Sequence, residues 1–508
     1  MAARSPEPTN AGRMEIGVEP TSNMTDTRFS RRHFFYGSLL AGAVPSGGFG
    51  SVPSLKAMGY KAYNEKLNIA GVGVGGRGAQ DISACAGENI VALCDVDDSQ
   101  TARMSSRFPK AAKYKDFRRM LDKEGKNIDA VTIGTPDHMH ATIALACMQR
   151  GKHVYVEKPL TRTFWEARLL TQAAEKYKVA TQMGNQAYSH DANRVAAEII
   201  WSGAIGNVTE VHGSTLAPTW PQGLQKLPPE GKVPDTLDWD LWLGGAAMRP
   251  YSSQADGGIV PFNWRGYFDF GTGPLGDWGI HALGPANLAL QLASPISVEV
   301  IRQEGKNQWT FPTRSVVRYD FPARGNMAPV SIYWHDAATA DSPDLYRPKG
   351  LENERILPSP GNLTAFRGRT QAAPPPRASA APRGPLGALY DHGSLFIGDK
   401  GYMATAQRGE GVHLLPASRW ESYRLPPELL NRPPAHHRDW IRACKGGEPA
   451  CSNFSIAGPF AEWVVLGAVA YHFEGKLEWD GVRQRFTNNK EANKYLKPVY
   501  RKGWELKL

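Results

Sequence analysis

Leu67-Asn68-Ile69-Ala70-Gly71-Val72 runs directly into Gly73-Val74-Gly75-Gly76-Arg77-Gly78, and a helical stretch begins near Ala79. The first six residues have the apolar, β-favouring character of a short buried strand. A G-x-G-x-x-G turn between strand and helix has a definite physical logic. Gly73 permits the tight turn, Gly75 lets the backbone approach a pyrophosphate, and Gly78 allows the helix to pack close to the strand, with Gly76 and Arg77 completing the loop. Phosphates then lie at the helix N-terminus, where free N–H groups and the helix dipole favour negative charge. An overlapping frame, Gly71-x-Gly73-x-x-Gly76, would start the turn inside the strand and suits the pattern less well. The next strand, Ile90-Val91-Ala92-Leu93-Cys94, ends at Asp95. That is about twenty residues beyond the glycines, where a carboxylate bonds the adenosine ribose hydroxyls. A carboxylate there repels a 2′-phosphate, so NAD is favoured over NADP. Two alternatives stay open: Arg77 could pair with a phosphate, and Asp97 could take the carboxylate role.

Strand and helix go on alternating. Residues 129–134 read as a strand leading through Thr135-Pro136 into a helix over 137–151, and residues 153–156 and 179–182 are the next strands. Repeated βα units predict an α/β fold with a doubly wound parallel sheet whose ligand lies beyond the carboxyl ends of the strands. This domain is expected over 64–187, a second over 188–485, and a basic, aromatic tail over 486–508. In the second domain, residues 207–215, 297–303, 315–321 and 330–334 alternate like strands of an antiparallel sheet with one buried face. Residues 394–402 read as strand, turn, strand. Between them, residues 367–387 are rich in Pro, Ala and Arg and predict an irregular surface loop.

Glu157-Lys158-Pro159 stands at a strand end. Together with Gly73 to Gly78, Asp95, Thr135-Pro136 with His140, Gly184-Asn185-Gln186, and the Gly273 to His281 segment containing Asp277, it resembles the Gfo/Idh/MocA family of nicotinamide-dependent oxidoreductases. The resemblance extends over nearly the whole chain beyond the N-terminal segment. It implies an N-terminal Rossmann domain and a C-terminal α+β domain with an open, mostly antiparallel sheet. That second domain would carry the substrate site and often the interface of a homo-oligomer, and the substrate would be a sugar, a polyol or a derivative. It also implies cofactor contacts from Thr135, Pro136, His140, Glu157, Lys158 and Asn185, with His140 on the nicotinamide side.

The chemistry of the residues agrees. Oxidising a secondary alcohol by hydride transfer requires removal of the hydroxyl proton, and a histidine is the best single group for that near neutral pH. His281 follows Asp277 by four residues within 275–291, a stretch readable as one helix, so the two share a face. Asp277 would then orient the imidazole or bond a substrate hydroxyl. Lys158 supplies a cation that stabilises the oxygen on the carbon losing hydride, and the bond to Pro159 is one where a cis peptide is tolerated. Arg265 and Tyr267, with Asp269, precede this segment as candidate substrate contacts. The Trp-rich stretch 219–264 would either frame a sugar or fill the core. Ala282-Leu283-Gly284-Pro285 replaces the acidic residues many family members carry after the histidine, which leaves the substrate class open. Beside a dehydrogenase stand two other readings: an NAD-dependent glycosidase that oxidises its sugar transiently, and a non-catalytic NAD- or sugar-binding protein.

Composition bounds the rest. The 508 residues are 41% hydrophobic and 21% charged, which excludes wholesale disorder. The net charge of +10 is scattered along the chain and predicts no nucleic-acid partner. Five Cys are too few for a disulfide framework. Cys85, Cys94 and Cys147 read as buried hydrophobes, whereas Cys444 and Cys451 flank a turn that would permit a bridge. His138 and His140 point to different faces of a helix, and His436-His437 precede a helix over 438–444. With no zinc-like spacing elsewhere, no metal is predicted. Residues 1–57 read as a polar, disordered start, a signal and a linker. Arg31-Arg32 followed by Phe34-Phe35 and a short apolar run resembles the twin-arginine export signal, which implies the Tat machinery as a partner and an extracytoplasmic or periplasmic protein. No later segment has the length of a membrane span, so none is expected in the mature protein.

Overall fold

The computed structural model describes residues 64–215, 220–336, 348–352, 354–358 and 393–508. The expected signal and the loop at 367–387 lie outside the described residues. Strands β1 (Asn68–Val72), β2 (Asn89–Cys94), β3 (Ala112–Tyr114), β4 (Ala130–Ile133), β5 (His153–Glu157) and β6 (Thr181–Gly184) form a parallel sheet in the order β3-β2-β1-β4-β5-β6. The order reverses between β1 and β4, so a crevice opens there beyond the strand ends. Helices α1 (Gly76–Ala84), α2 (Asp98–Arg107), α3 (Phe117–Glu124), α4 (Asp137–Met148) and α5 (Phe164–Tyr177) make the connections. α4 is apolar on nearly every side and buried along almost its whole length, as a helix enclosed on all sides must be. α5 starts at a capping box, Thr163 with Glu166, which pairs two otherwise free backbone donors.

After α6 (Asp191–Trp201) and α7 (Trp239–Leu243) comes a nine-stranded sheet built from β7 (Val208–Ser214), β8 (Ser297–Glu304), β9 (Arg314–Phe321), β10 (Val330–Asp336), β11 (Gly393–Gly398), β12 (Gly401–Ala406), β13 (Val412–Leu415), β14 (Leu477–Asp480) and β15 (Arg485–Phe486). Its order is β13-β12-β11-β7-β10-β9-β8-β14-β15, antiparallel except where β10 runs parallel to β7. The alternation of β9 places Val317, Tyr319 and Phe321 in the core, where Trp463 meets Tyr319 and Phe321 edge-on.

Two helices bring the chain back to the first sheet. α8 (His436–Cys444) buries Trp440 and Cys444 in one cluster with Leu67, Ile69, Cys85 and Tyr155. α9 (Phe454–Ala470) packs on α5, and its first residue donates Phe454 N–H to Thr181 Oγ1 at 3.0 Å. His436 and His437 form the first turn of α8 rather than preceding it. The His436 ring, held by the Met183 carbonyl at 2.9 Å and Ser189 Oγ at 3.2 Å, fixes that turn against β6. Cys444 and Cys451 are both free thiols. Among the described residues no helix is long and apolar enough to cross a membrane.

One ion pair closes the α6 side of the core. Glu198, 1% exposed, accepts hydrogen bonds from Arg432 Nη1 at 2.9 Å and Nη2 at 2.6 Å, and from the Leu429 and Leu430 N–H groups. Removing one partner of such a pair strands a buried charge. Arg432→Ala is therefore expected to lower stability by about 3 kcal/mol in denaturant unfolding. A loss below ~0.5 kcal/mol would show the pair to be solvated.

Buried histidines also set a pH dependence. Burial lowers His138, His335 and His436 to about 3, and His153, His437 and His472 to about 4. In the unfolded chain they titrate near ~6.5. Their contribution is complete above that value and is lost as pH falls toward their folded values. Four buried carboxyls act oppositely: burial raises Asp81 and Asp95 to about 6 and Asp137 and Glu157 to about 7, so their contribution is lost as pH rises. Between pH 7 and 5 the histidines outnumber the carboxyls. The melting temperature is expected to fall on acidification across that interval, and a flat or rising profile would contradict this balance.

Candidate active site

A cavity of about 810 Å³ runs from the carboxyl ends of β1 to β5 to the segment around residues 275–281 that lies beneath the second sheet. At its floor the glycine loop takes the later of the two frames. Gly73 has φ +72° and Gly76 φ +47°, both in the left-handed region. A Cβ on Gly78 would stand 1.8 Å from the Gly73 carbonyl oxygen, so α1 touches the loop backbone directly. Above Gly76 nothing lies within 4 Å, and no side chain caps the N-terminus of α1. Free N–H groups facing open space at a helix start fit a pyrophosphate.

At the end of β2, Asp95 accepts from Val74 N–H at 2.8 Å and Asp97 N–H at 3.0 Å, tying the loop to the strand end. Burial pushes its carboxyl up to about 6. Asp97 caps α2 through Ser99 N–H at 2.9 Å. Both aspartates line the cavity, so the ribose role is open to either. Arg77 also lines it, but its guanidinium is held by Glu157 and Asp81, each at 3.3 Å. Glu157 further accepts from Gln186, and burial, reinforced by Asp81 and opposed by Arg77 and Lys158, pushes it up to about 7.

Thr135, Pro136 and Lys158 line the cavity with Arg265, Asp277 and His281. The Lys158–Pro159 bond is cis. Lys158 Nζ donates to Asp277 Oδ1 at 2.5 Å and to the Asp277 carbonyl at 3.0 Å. Arg265, held between the Phe262 and Trp264 rings, brings its Nε to 3.5 Å from the same carboxylate. Burial works against ionisation of Asp277, yet Lys158 and Arg265 hold it below the usual carboxylate range. His281 is buried and pushed well below 6.5 by burial and then by Lys158 and Arg408, so its imidazole is neutral.

Several placements differ from those read in the sequence. Asp277 does not orient His281: its carboxylate is taken by Lys158, and His281 Nδ1 is buried without a partner. The reason is local. Residues Leu275–Gly279 form a π-helical turn, followed by short pieces at Ile280–Ala282 and Gly284–Ala289, so four-residue spacing no longer stacks side chains. Tyr267 does not line the cavity. It is fully buried in an aromatic cluster beside Phe270, under Arg249. His140 bridges the Thr135 and Pro159 carbonyls at 2.8 and 2.9 Å, shaping the cavity from behind. Asn185 likewise stands back, accepting from Ser452 Oγ at 2.7 Å. The tryptophans divide: Trp264 and Trp242 reach the cavity, while Trp239 stacks behind Trp242 at 4.7 Å.

The cavity holds residues the sequence reading passed over. Asp137, at the start of α4, is pushed up to about 7 chiefly by burial and accepts from Thr272 Oγ1 at 2.8 Å. Arg408 lies 5.3 Å over the Trp278 ring, and Trp504 enters from the C-terminal tail. Gln186 had a signal, its place in Gly184-Asn185-Gln186; Arg408 and Trp504 had none. Among the described residues no group of three His, Cys, Asp or Glu is placed to hold a metal.

Comparison with known proteins fits this geometry. Residues 67–185 match the model of an oxidoreductase family NAD-binding Rossmann fold, and residues 195–321 that of the family's C-terminal alpha/beta domain. Among curated relatives, a Glycosyl hydrolase family 109 protein of Solibacter usitatus is 30% identical over 181 residues, covering 32% of this chain and 40% of that one. A levoglucosan dehydrogenase of Pseudarthrobacter phenanthrenivorans is 30% identical over 124 residues, 24% of this chain and 31% of that one. The chain thus spans less than half the length of these two relatives. Among solved structures, the WlbA dehydrogenase of Bordetella pertussis in complex with NADH and UDP-GlcNAcA aligns with a TM-score of 0.52 at 12% identity, covering 82% of this chain and 99% of that one. This last likeness shows the fold alone. The glycine loop, Lys158, Asp277 and His281 are gathered at the meeting of two domains, each of which matches a model of the Gfo/Idh/MocA oxidoreductase family.

Proposed function

We propose that this protein is an NAD-dependent oxidoreductase that moves a hydride between the nicotinamide and a hydroxyl or keto carbon of a sugar, polyol or glycoside. The observation carrying the reading is the convergence of Lys158, Asp277, Arg265 and His281 on one end of a cavity whose other end is the glycine loop. NAD, when bound, supplies the hydride acceptor. The neutral imidazole of His281 accepts the hydroxyl proton. Lys158, already a donor to Asp277, holds the oxygen that gains negative charge. Asp277, kept ionised, fixes the Lys158 ammonium and accepts from a neighbouring hydroxyl. Gly73, Gly75 and Gly76 hold the pyrophosphate, and Asp95 or Asp97 the ribose.

A second reading, an NAD-dependent glycosidase that oxidises and later re-reduces its sugar, is favoured by the match to Glycosyl hydrolase family 109 proteins. One assay separates the two. The purified protein is incubated with sugars, polyols and nitrophenyl glycosides while NADH absorbance and aglycone release are followed together. Net NADH without aglycone supports the dehydrogenase; aglycone without net NADH supports the glycosidase. Bound NAD with silence in both channels would favour a binding protein. The proposal extends to a homo-oligomer and to export by the twin-arginine route, supported respectively by the family resemblance and by Arg31-Arg32 ahead of Phe34-Phe35.

A further inference from the structure

Part of the cavity lining is apolar, with Arg103, Lys115 and Asp116 lining it as well. Its apolar residues include Phe117 and Met139 from the first domain, Leu237 and Leu241 from the second, and Trp504 from near the end of the described residues. This part lies beyond β2 and β3, next to Asp95 and Asp97, where the adenosine half of a dinucleotide belongs. An apolar lining that includes an indole suits a purine ring.

Two connections make this part of the cavity a closed structure rather than an open edge. The loop after β2 is stitched to the second domain: Asp98 N–H donates to Thr236 O at 3.0 Å, and Asp238 N–H to Val96 O at 2.9 Å. The tail is anchored independently of any ligand. Trp165 N–H donates to Leu496 O at 2.9 Å, Tyr500 Oη to Glu166 Oε1 at 2.6 Å, and Arg501 reaches Gly244 O at 2.7 Å and Asp240 Oδ1 at 2.6 Å. Gly245 is needed for this approach, because a Cβ there would stand 2.7 Å from the Tyr500 ring. Trp504 itself lies 4.5 Å under the Arg118 guanidinium and 6.5 Å from Phe117.

We propose that residues 496–508 are a retention strap for the cofactor, with Trp504 closing the adenine site and Arg501 positioning it, so that NAD stays bound between turnovers. The inference rests on the NAD reading of the cavity and deepens it. Release would require the tail to lift or the 234–241 segment to part from the β2 loop.

The test loads the full-length protein with NADH and follows loss of bound-NADH fluorescence after addition of excess NAD. Trp504→Ala is expected to speed release by about 10- to 100-fold, the range typical of a lost base–aromatic contact. Trp504→Phe, which keeps a ring at the site, should stay within a few-fold of the parent and guards against a folding defect in the alanine variant. Arg501→Ala should also speed release, although Arg501 has no place in the cavity lining. Melting of the nucleotide-free variants shows whether any change is merely structural: equal loss of melting temperature with unchanged release rate overturns the strap. Equal release rates from the parent, Trp504→Ala and Arg501→Ala overturn it as well. Failure of the parent itself to bind NAD(H) overturns the cofactor reading first, and the strap with it.

Discussion

Replacing Lys158 with methionine is expected to cut turnover by about 10²- to 10³-fold on whichever sugar or polyol the parent oxidises, the usual loss when one donor to a developing oxyanion is removed. Methionine keeps the length and apolar stem of lysine, so the cavity wall survives. What disappears is the ammonium that donates to Asp277 Oδ1 and to the Asp277 carbonyl. Asp277 then keeps Arg265, at 3.5 Å, and the charge of Arg408 against its burial. Its carboxyl must rise, and the acid limb of the rate profile should move to higher pH with it. NAD affinity, set at the far end of the cavity, should change by less than about tenfold. Turnover within threefold of the parent would remove Lys158 from the chemistry.

Gly78→Ala should abolish useful nucleotide binding, weakening it by more than about 100-fold, and lower the melting temperature as well. The added methyl would stand 1.8 Å from the Gly73 carbonyl oxygen and 3.3 Å from Gly134 Cα. Both obstacles are backbone, so no side chain can swing aside. Relief requires α1 to move off the sheet, which carries its N-terminal N–H groups away from the phosphates. Gly76→Ala is the matched control for stability alone: its methyl meets no protein atom within 4 Å and carries the strain of φ +47°, but it enters the space kept for the pyrophosphate. Its stability loss should be about 1–2 kcal/mol. Thermal melting distinguishes the pair, and Gly78→Ala binding NAD within tenfold of the parent by isothermal titration would refute the close-packing argument.

The first domain was readable because each of its signals is local. Gly73 to Gly78 lie between a strand and a helix, and Asp95, Thr135 and Lys158 each follow a strand whose pattern marks its end. Where the site draws on residues outside those motifs, the sequence is silent. Arg408 and Trp504 reach the cavity from far along the chain, and nothing around either residue announces a ligand. Tyr267 misled because an aromatic residue beside a candidate site segment has the same composition whether it faces a cavity or an aromatic core; only the packing of Phe270 and Arg249 decides. The Asp277–His281 spacing misled for a geometric reason, since a π-helical turn shifts the register on which four-residue pairing depends.

The return of α8 and α9 to the first sheet has a consequence for how the protein is made. Trp440 and Cys444 complete the cluster around Leu67, Ile69 and Tyr155, and Phe454 N–H fills the acceptor at Thr181. A nascent chain that has released only its first 187 residues from the ribosome carries β1 to β6 but lacks these partners. Its first domain therefore waits, with apolar surface uncovered, until more than 260 further residues, through Phe454, have been synthesised. Co-translational capture of the glycine loop by nucleotide is correspondingly disfavoured, and chaperone demand should be greatest for chains stalled between the two domains.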